Sequence, residues 1–238
     1  MIAPKAKFHS RFRIVPALLL LGALPLVLGG ANAAEGTPSL APYFEPAGRT
    51  PTKPDEDGFI RRWLLLEPIA KPNRTNTVFT GSYVREALTK RYAPGQFDGL
   101  PRAGQTVTVE GYRLAWHALD STAFDVKLFN FAQSLGKTKY GVIFQVATVV
   151  DSPRDMVVRM AVGSNSASMW WVNGAETAIL ANDRRMVMDD VVSRRLTLKK
   201  GRNIIRGAVI NGPGLSDFCV RFVDEAGKPV TDLTVTVT

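Results

Sequence analysis

The sequence predicts an all-β sandwich or barrel with one short helix near its N-terminal side. Three observations predict it. Short apolar segments recur between Gly, Asn, Asp and Pro turn residues, without the alternating helices that would signal βαβ units. The run Ala161–Gly174, AVGSNSASMWWVNG, joins a polar loop to a strand with two tryptophans and an Asn-Gly pair, which tolerates the positive φ angles of a type I′ hairpin turn. Near the end, Leu233, Val235 and Val237 alternate with Thr234, Thr236 and Thr238, the two-residue period of a half-buried strand.

Taken in chain order, Lys5, Lys7, Arg11 and Arg13 form a positive head, Ile14–Leu28 an apolar stretch and Ala31–Asn32–Ala33 an A-x-A site, the pattern of a secretory signal peptide over residues 1–34. Pro16, Gly22 and Pro25 interrupt the stretch, no cysteine stands at the cleavage site, and no second apolar segment of spanning length follows. The expected product is therefore periplasmic or secreted and free of the membrane once cleaved. Residues 35–57, with Pro38, Pro42, Pro46, Pro51 and Pro54, read as an extended leader or linker. The folded domain is expected over 58–238, opening with the apolar run FIRRWLLLEPI.

The helix is predicted at Ser82–Tyr92, where Val84, Leu88 and Tyr92 recur at four-residue spacing and Pro94–Gly95 closes it. Downstream, strands are expected at Thr106–Val109, Tyr112–Ala118, Val126–Phe129, Tyr140–Val150, Met156–Val162, Ser168–Val172, Glu176–Leu180, Val191–Leu198, Asn203–Ile210, Phe218–Val223 and Leu233–Val237. Tyr140–Val150 is apolar on both faces, as a central strand covered on each side would be.

Charge and chemistry-bearing residues narrow the function. Four of the 30 basic and none of the 21 acidic residues precede Glu35, which leaves a net charge of +5 on the cleaved chain. Its basic pairs, such as Arg61–Arg62 and Arg194–Arg195, are interleaved with acids, so no nucleic-acid partner is expected. Cys219 is the single cysteine, which excludes an internal disulfide; set within Phe218–Val223, it reads as a small buried residue. His117 is the one histidine after cleavage, so a His/Cys zinc cluster is excluded and any Ser-His-Asp arrangement must use it. Gly163–Ala167 has asparagine where a nucleophile elbow needs serine, Asp189 and Asp190 point to opposite faces of a strand, and Gly214–Asp217 reads as a polar turn. No catalytic residue and no cofactor or metal is nominated, the acids being too scattered to suggest calcium ligands. Asn73–Arg74–Thr75 matches a glycosylation sequon, a pattern common by chance.

The order of signals from Trp63 to Asp232 resembles the galactose-binding-like jelly-roll domains, in particular the sugar-binding domains that accompany glycoside hydrolases and carbohydrate esterases. The likeness is carried by Gly141–Val150, by AVGSNSASMWWVNG, by Leu198–Lys199–Lys200–Gly201–Arg202–Asn203, which fits a "leucine, lysine, gly-x-asn" turn, and by the Asp-x-x-Gly turn Asp224–Gly227. The resemblance implies a jelly-roll β-sandwich in which Trp170 and Val172 face the core. Trp171, on the opposite face, is then the outward candidate.

Pyranose rings expose apolar C–H faces and peripheral hydroxyls, so a sugar site needs an aromatic platform and a few polar groups. Trp171 is the expected platform, with Asn165, Asn182, Asp183, Arg184, Arg185 and Asn211 in the surrounding loops as ligand-binding candidates. The alternative for Trp171 is packing beneath the helix or the leader. The expected function is a non-catalytic module that binds glycan or polysaccharide. The rival is an accessory subunit that binds a protein partner through the same face.

Overall fold

The computed structural model describes residues 39–71, 79–182 and 184–238. The signal-peptide stretch 1–34, the start of the leader and the sequon at Asn73 lie outside the described residues. Sixteen elements follow: β1 (Phe44–Pro46), β2 (Arg62–Leu66), β3 (Ile69–Ala70), α1 (Gly81–Thr89), β4 (Thr106–Val109), β5 (Tyr112–Ser121), α2 (Leu128–Ser134), β6 (Val142–Ser152), β7 (Met156–Ser164), β8 (Ala167–Val172), β9 (Ala175–Leu180), β10 (Val191–Val192), β11 (Leu196–Leu198), β12 (Gly201–Asn211), β13 (Phe218–Val223) and β14 (Thr234–Thr236). All pairings are antiparallel. The larger sheet runs β1-β5-β2-β6-β12-β8-β9, with β3 and β14 added to β6 and β4 to β5; in the smaller, β7 is flanked by β10 and β11 on one side and β13 on the other. The protein is an all-β sandwich.

Strand alternation divides the large sheet into two buried faces. Trp63, Leu65, Phe144, Val146, Trp170, Val172, Ile205 and Val209 point into the sandwich and meet Val158, Met160, Val162, Phe218, Val220 and Phe222 of the small sheet. Their neighbours Leu64, Leu66, Ile143, Ala147, Met169 and Ala208 point the other way, where Val84, Ala87 and Leu88 of α1 and Phe79 cover them. This two-sided burial is why β6 is apolar along almost its whole length. Trp63, Trp170 and Phe218 meet at ring-centroid distances of 5.0 to 6.0 Å, and edge-to-face geometry at Trp63 favours each pair beyond the area it buries.

The turns follow their residues. Asn173 and Gly174 adopt φ of 51° and 81°, a type I′ hairpin between β8 and β9. The Asn203 side chain is fully buried, donates to the Lys199 and Gly201 carbonyl oxygens and accepts the Lys199 N–H, which accounts for asparagine at the end of that turn. Asp224 Oδ1 accepts the N–H groups of Ala226 and Lys228 and closes the last turn.

Three expectations are corrected. Val126–Phe129 is not a strand: only Val126 bridges, to Phe218, and the chain then enters α2, whose Leu128, Phe131 and Ala132 are buried and which stops at Gly136 with φ 64°. Val191–Leu198 is two short strands, because Ser193 breaks the ladder by offering its hydroxyl oxygen to the Met160 N–H at 2.9 Å. The stretch 39–57 is not a free linker. Phe44 is buried in the sandwich core, β1 pairs with β5, and Thr52 bridges Val235. The Thr50 carbonyl also accepts from the buried Arg62, whose guanidinium grips Asp120 through two bonds of 2.7 Å. A chain beginning at Gly58 is therefore expected to be less stable than one beginning at Leu40 by about 2 kcal/mol, the burial of one aromatic side chain. Urea denaturation of the two checks this, and equal midpoints would contradict it.

Candidate functional site

At one end of the sandwich the β7–β8 turn, the 184–188 segment, the 125–127 segment and the 213–217 loop enclose an open cleft of about 630 Å³, lined by Asp125, Lys127, Asn165, Arg184, Arg185, Met186, Pro213, Gly214, Leu215 and Asp217. Backbone bonds fix its floor. The Asn165 N–H donates to the Asp217 carbonyl at 2.8 Å, the Ser166 N–H to the Arg184 carbonyl at 3.0 Å, and the Asn165 side-chain oxygen accepts the Met186 N–H at 2.6 Å. Gly163 permits the close approach of the 184–188 wall, since a Cβ there would lie 2.1 Å from the Val187 carbonyl oxygen. Cys219 sits beneath it, fully buried, its sulfur 3.9 Å from that of Met186; burial pushes its thiol up to about 12, so it is no nucleophile at neutral pH.

The bridge between Val126 and Phe218 places their chain neighbours side by side. The Lys127 ammonium thus lies 2.6 Å from Asp125 and 3.2 Å from Asp217. Burial pushes the Asp217 carboxyl up, against the downward pull of Lys127 and of the Phe129 N–H. Among the described residues no group hydrogen-bonds one of its oxygens, Oδ1. For Lys127, burial works against the charge, but its bonds to Asp125 and Asp217 raise the group on balance. Arg184 Nε lies 2.6 Å from Asp190.

An aromatic pair flanks this cluster. Phe129, two residues beyond Lys127, packs at 5.6 Å on the half-exposed Tyr140, and the Lys139 ammonium lies 4.7 and 5.8 Å from the two ring centroids. Asn211 ties the two parts together: its buried amide donates to the Lys139 carbonyl at 2.7 Å and to the Gly214 carbonyl at 3.0 Å.

The expected site residues therefore separate. Asn165, Arg184 and Arg185 line the cleft. Asn211 is 1% exposed and shapes the 211–217 loop instead of meeting a ligand. Asn182 is exposed but lies elsewhere, with φ 70° and its N–H on the Phe79 carbonyl. Asp183 lies outside the described residues. Trp171 does face away from Trp170, as alternation requires, but that face is covered: the ring is part-buried in the α1 cluster, 6.4 Å from Phe97, so it is not an open platform. Sequence reasoning missed Asp125, Lys127, Phe129 and Tyr140, and took Leu215 and Asp217 for a plain polar turn.

His117 lies on β5 away from the cleft's lining. Its Nε2 is 3.4 Å from Glu67, whose other oxygen meets Lys137 at 3.1 Å, and its ring stands edge-on to Phe131. Among the described residues no hydroxyl or thiol is hydrogen-bonded to it, and no group of three or more His, Cys, Asp or Glu is placed to hold a metal ion. No described helix is long and apolar enough to cross a membrane.

No family model matches the chain, and no curated protein does. Among solved structures it is similar to a PA14 sugar-binding domain from an RTX adhesin, at 10% identity and a TM-score of 0.43 over 73% of this chain and 96% of that one. It is also similar to the PA14 domain of the MpAFP antifreeze protein, at 11% identity and a TM-score of 0.38 over 73% and 89%. A β-glucosidase from Kluyveromyces marxianus in complex with glucose follows at 13% and 0.38, over 71% of this chain but 17% of that one. At such identities and TM-scores these likenesses decide neither fold nor function.

Proposed function

We propose that this chain is a secreted or periplasmic, non-catalytic carbohydrate-binding module, a sandwich of galactose-binding-like jelly-roll type, that takes glycan or polysaccharide in the loop-end cleft. The observation that carries the reading is the juxtaposition of the Asp125–Lys127–Asp217 cluster with the Phe129–Tyr140 pair. Each sugar hydroxyl both donates and accepts, so alternating carboxylates and ammonium suit it, while an aromatic ring takes the apolar face of a pyranose. Tyr140, half exposed, is the group best placed to stack.

On a glycan array followed by affinity electrophoresis, Tyr140→Ala is expected to lose at least about tenfold in retention, the loss of one aromatic contact, with an unchanged circular dichroism spectrum. Retention unchanged in both Tyr140→Ala and Arg184→Ala would remove the cleft as the site.

A second reading, the protein-binding accessory subunit, is favoured by one observation: Leu215 at the rim and Val187 and Met188 beyond Met186 are all more than half exposed. Leu215→Asp separates the two, since it would disrupt a protein interface while leaving saccharide retention within twofold.

A further inference from the structure

The charges around the cleft are divided by depth. The carboxylates are withdrawn: the side chains of Asp125 and Asp217 are 9% and 4% exposed and both are engaged by Lys127, while Asp190 is taken by Arg184. The cations are forward, with Lys127 and Arg184 at 30% and 29% and Arg185 exposed. A ligand entering the cleft therefore meets ammonium and guanidinium groups before any carboxylate. Two of the cations have no acidic partner among the described residues: Arg185 on the 184–188 wall, and Lys139, which bonds only the amide oxygen of Gln133 and lies over the aromatic pair. Arg185 lines the cleft, and Lys139 lies outside that lining, its carbonyl joined through Asn211 to the Gly214 carbonyl of the cleft wall. A neutral sugar would leave both charges unanswered. A chain carrying an anion on successive residues would answer both, and a planar guanidinium can hold a carboxylate through two parallel hydrogen bonds.

We propose that the ligand of this cleft is an acidic polysaccharide, its anionic groups held by Arg185 and Lys139 while a pyranose ring rests on Tyr140. The proposal rests on the carbohydrate reading above and adds the charge of the ligand. The anion is either a uronate carboxylate or a sulfate ester, and the test distinguishes them.

The signal-cleaved chain is titrated calorimetrically with four polymers: polygalacturonate, its fully methyl-esterified form, dextran sulfate and dextran. The expected result is binding of polygalacturonate at least tenfold tighter than of the ester, with Arg185→Ala and Lys139→Ala each removing most of that preference while leaving the melting temperature unchanged. Preference for dextran sulfate over polygalacturonate, still lost in both variants, keeps the anionic ligand and assigns sulfate. Equal affinity for the acid and its ester, unaffected by either variant, overturns the proposal and leaves sugar binding intact. Binding of both anionic polymers that is indifferent to the two variants also overturns it, since general attraction to a positively charged chain then suffices. Heat from none of the four, with no saccharide retained on a glycan array, brings down the carbohydrate reading itself.

Discussion

Gly207→Ala is expected to destabilise the protein by about 3 kcal/mol, the upper end for an overpacked core. Gly207 on β12 pairs directly with Trp170 on β8, and the indole packs against the glycine. A Cβ at 207 would stand 2.3 Å from Cζ3 of Trp170 and under 3 Å from two further ring atoms. The ring cannot retreat, because Trp63 and Phe218 enclose it and its Nε1 donates to Ser168 at 3.0 Å. Neither can the strand, since β12 is hydrogen-bonded to β6 and β8 on its two edges. The urea midpoint of the variant checks this; a loss below about 0.5 kcal/mol, the level of an ordinary surface change, would mean that the sheet yields around the Trp170 ring.

Trp170→Ala is expected to cost about 3–5 kcal/mol, the range for emptying a buried tryptophan site. Trp171→Ala should cost distinctly less, because its ring is only part-buried and lies under a thin cover of Phe97 and α1. The informative quantity is saccharide retention per folded molecule: neither variant should change it, since neither indole lines the cleft or belongs to the Phe129–Tyr140 pair beside it. Loss of retention confined to Trp171→Ala would restore the exposed-platform role expected from the sequence.

How the fold could be read, and where it could not, comes down to the range of the forces involved. Strand positions and hairpin turns are local, and alternation placed Trp170 and Trp171 on opposite faces. The helix α2 was missed: Leu128, Phe131, Ala132 and Leu135 recur at i, i+3, i+4 and i+7 and Gly136 follows, but the strand-like Val126 hid that helical period. What covers each face is not local. Nothing in WWVNG reveals that α1 and Phe97 pack over Trp171.

The candidate site divides the same way. Asn165 and Arg184 were legible because polar loop residues beside a hairpin mark the rim of a sandwich. The Asp125–Lys127–Asp217 cluster was not, because 125 and 217 stand far apart in the chain and meet only through the Val126–Phe218 bridge. The usable signal was the polar flanks of two short apolar segments, Asp125 and Lys127 around Val126 and Asp217 before Phe218. Asn211 misled for a physical reason. An asparagine in a loop between strands serves the backbone as readily as a ligand, and this one is spent on two carbonyls.

The measurement that bears most directly on the account is a backbone amide NMR titration of the chain from Glu35 onward with the saccharide it retains best. Saccharide bound in the cleft shifts amides at 125–129, 139–140, 165–166, 184–186 and 214–217, and leaves those of α1 and of Trp171 in place. Shifts centred on α1, Phe97 and Trp171, with the cleft amides unmoved, would contradict it.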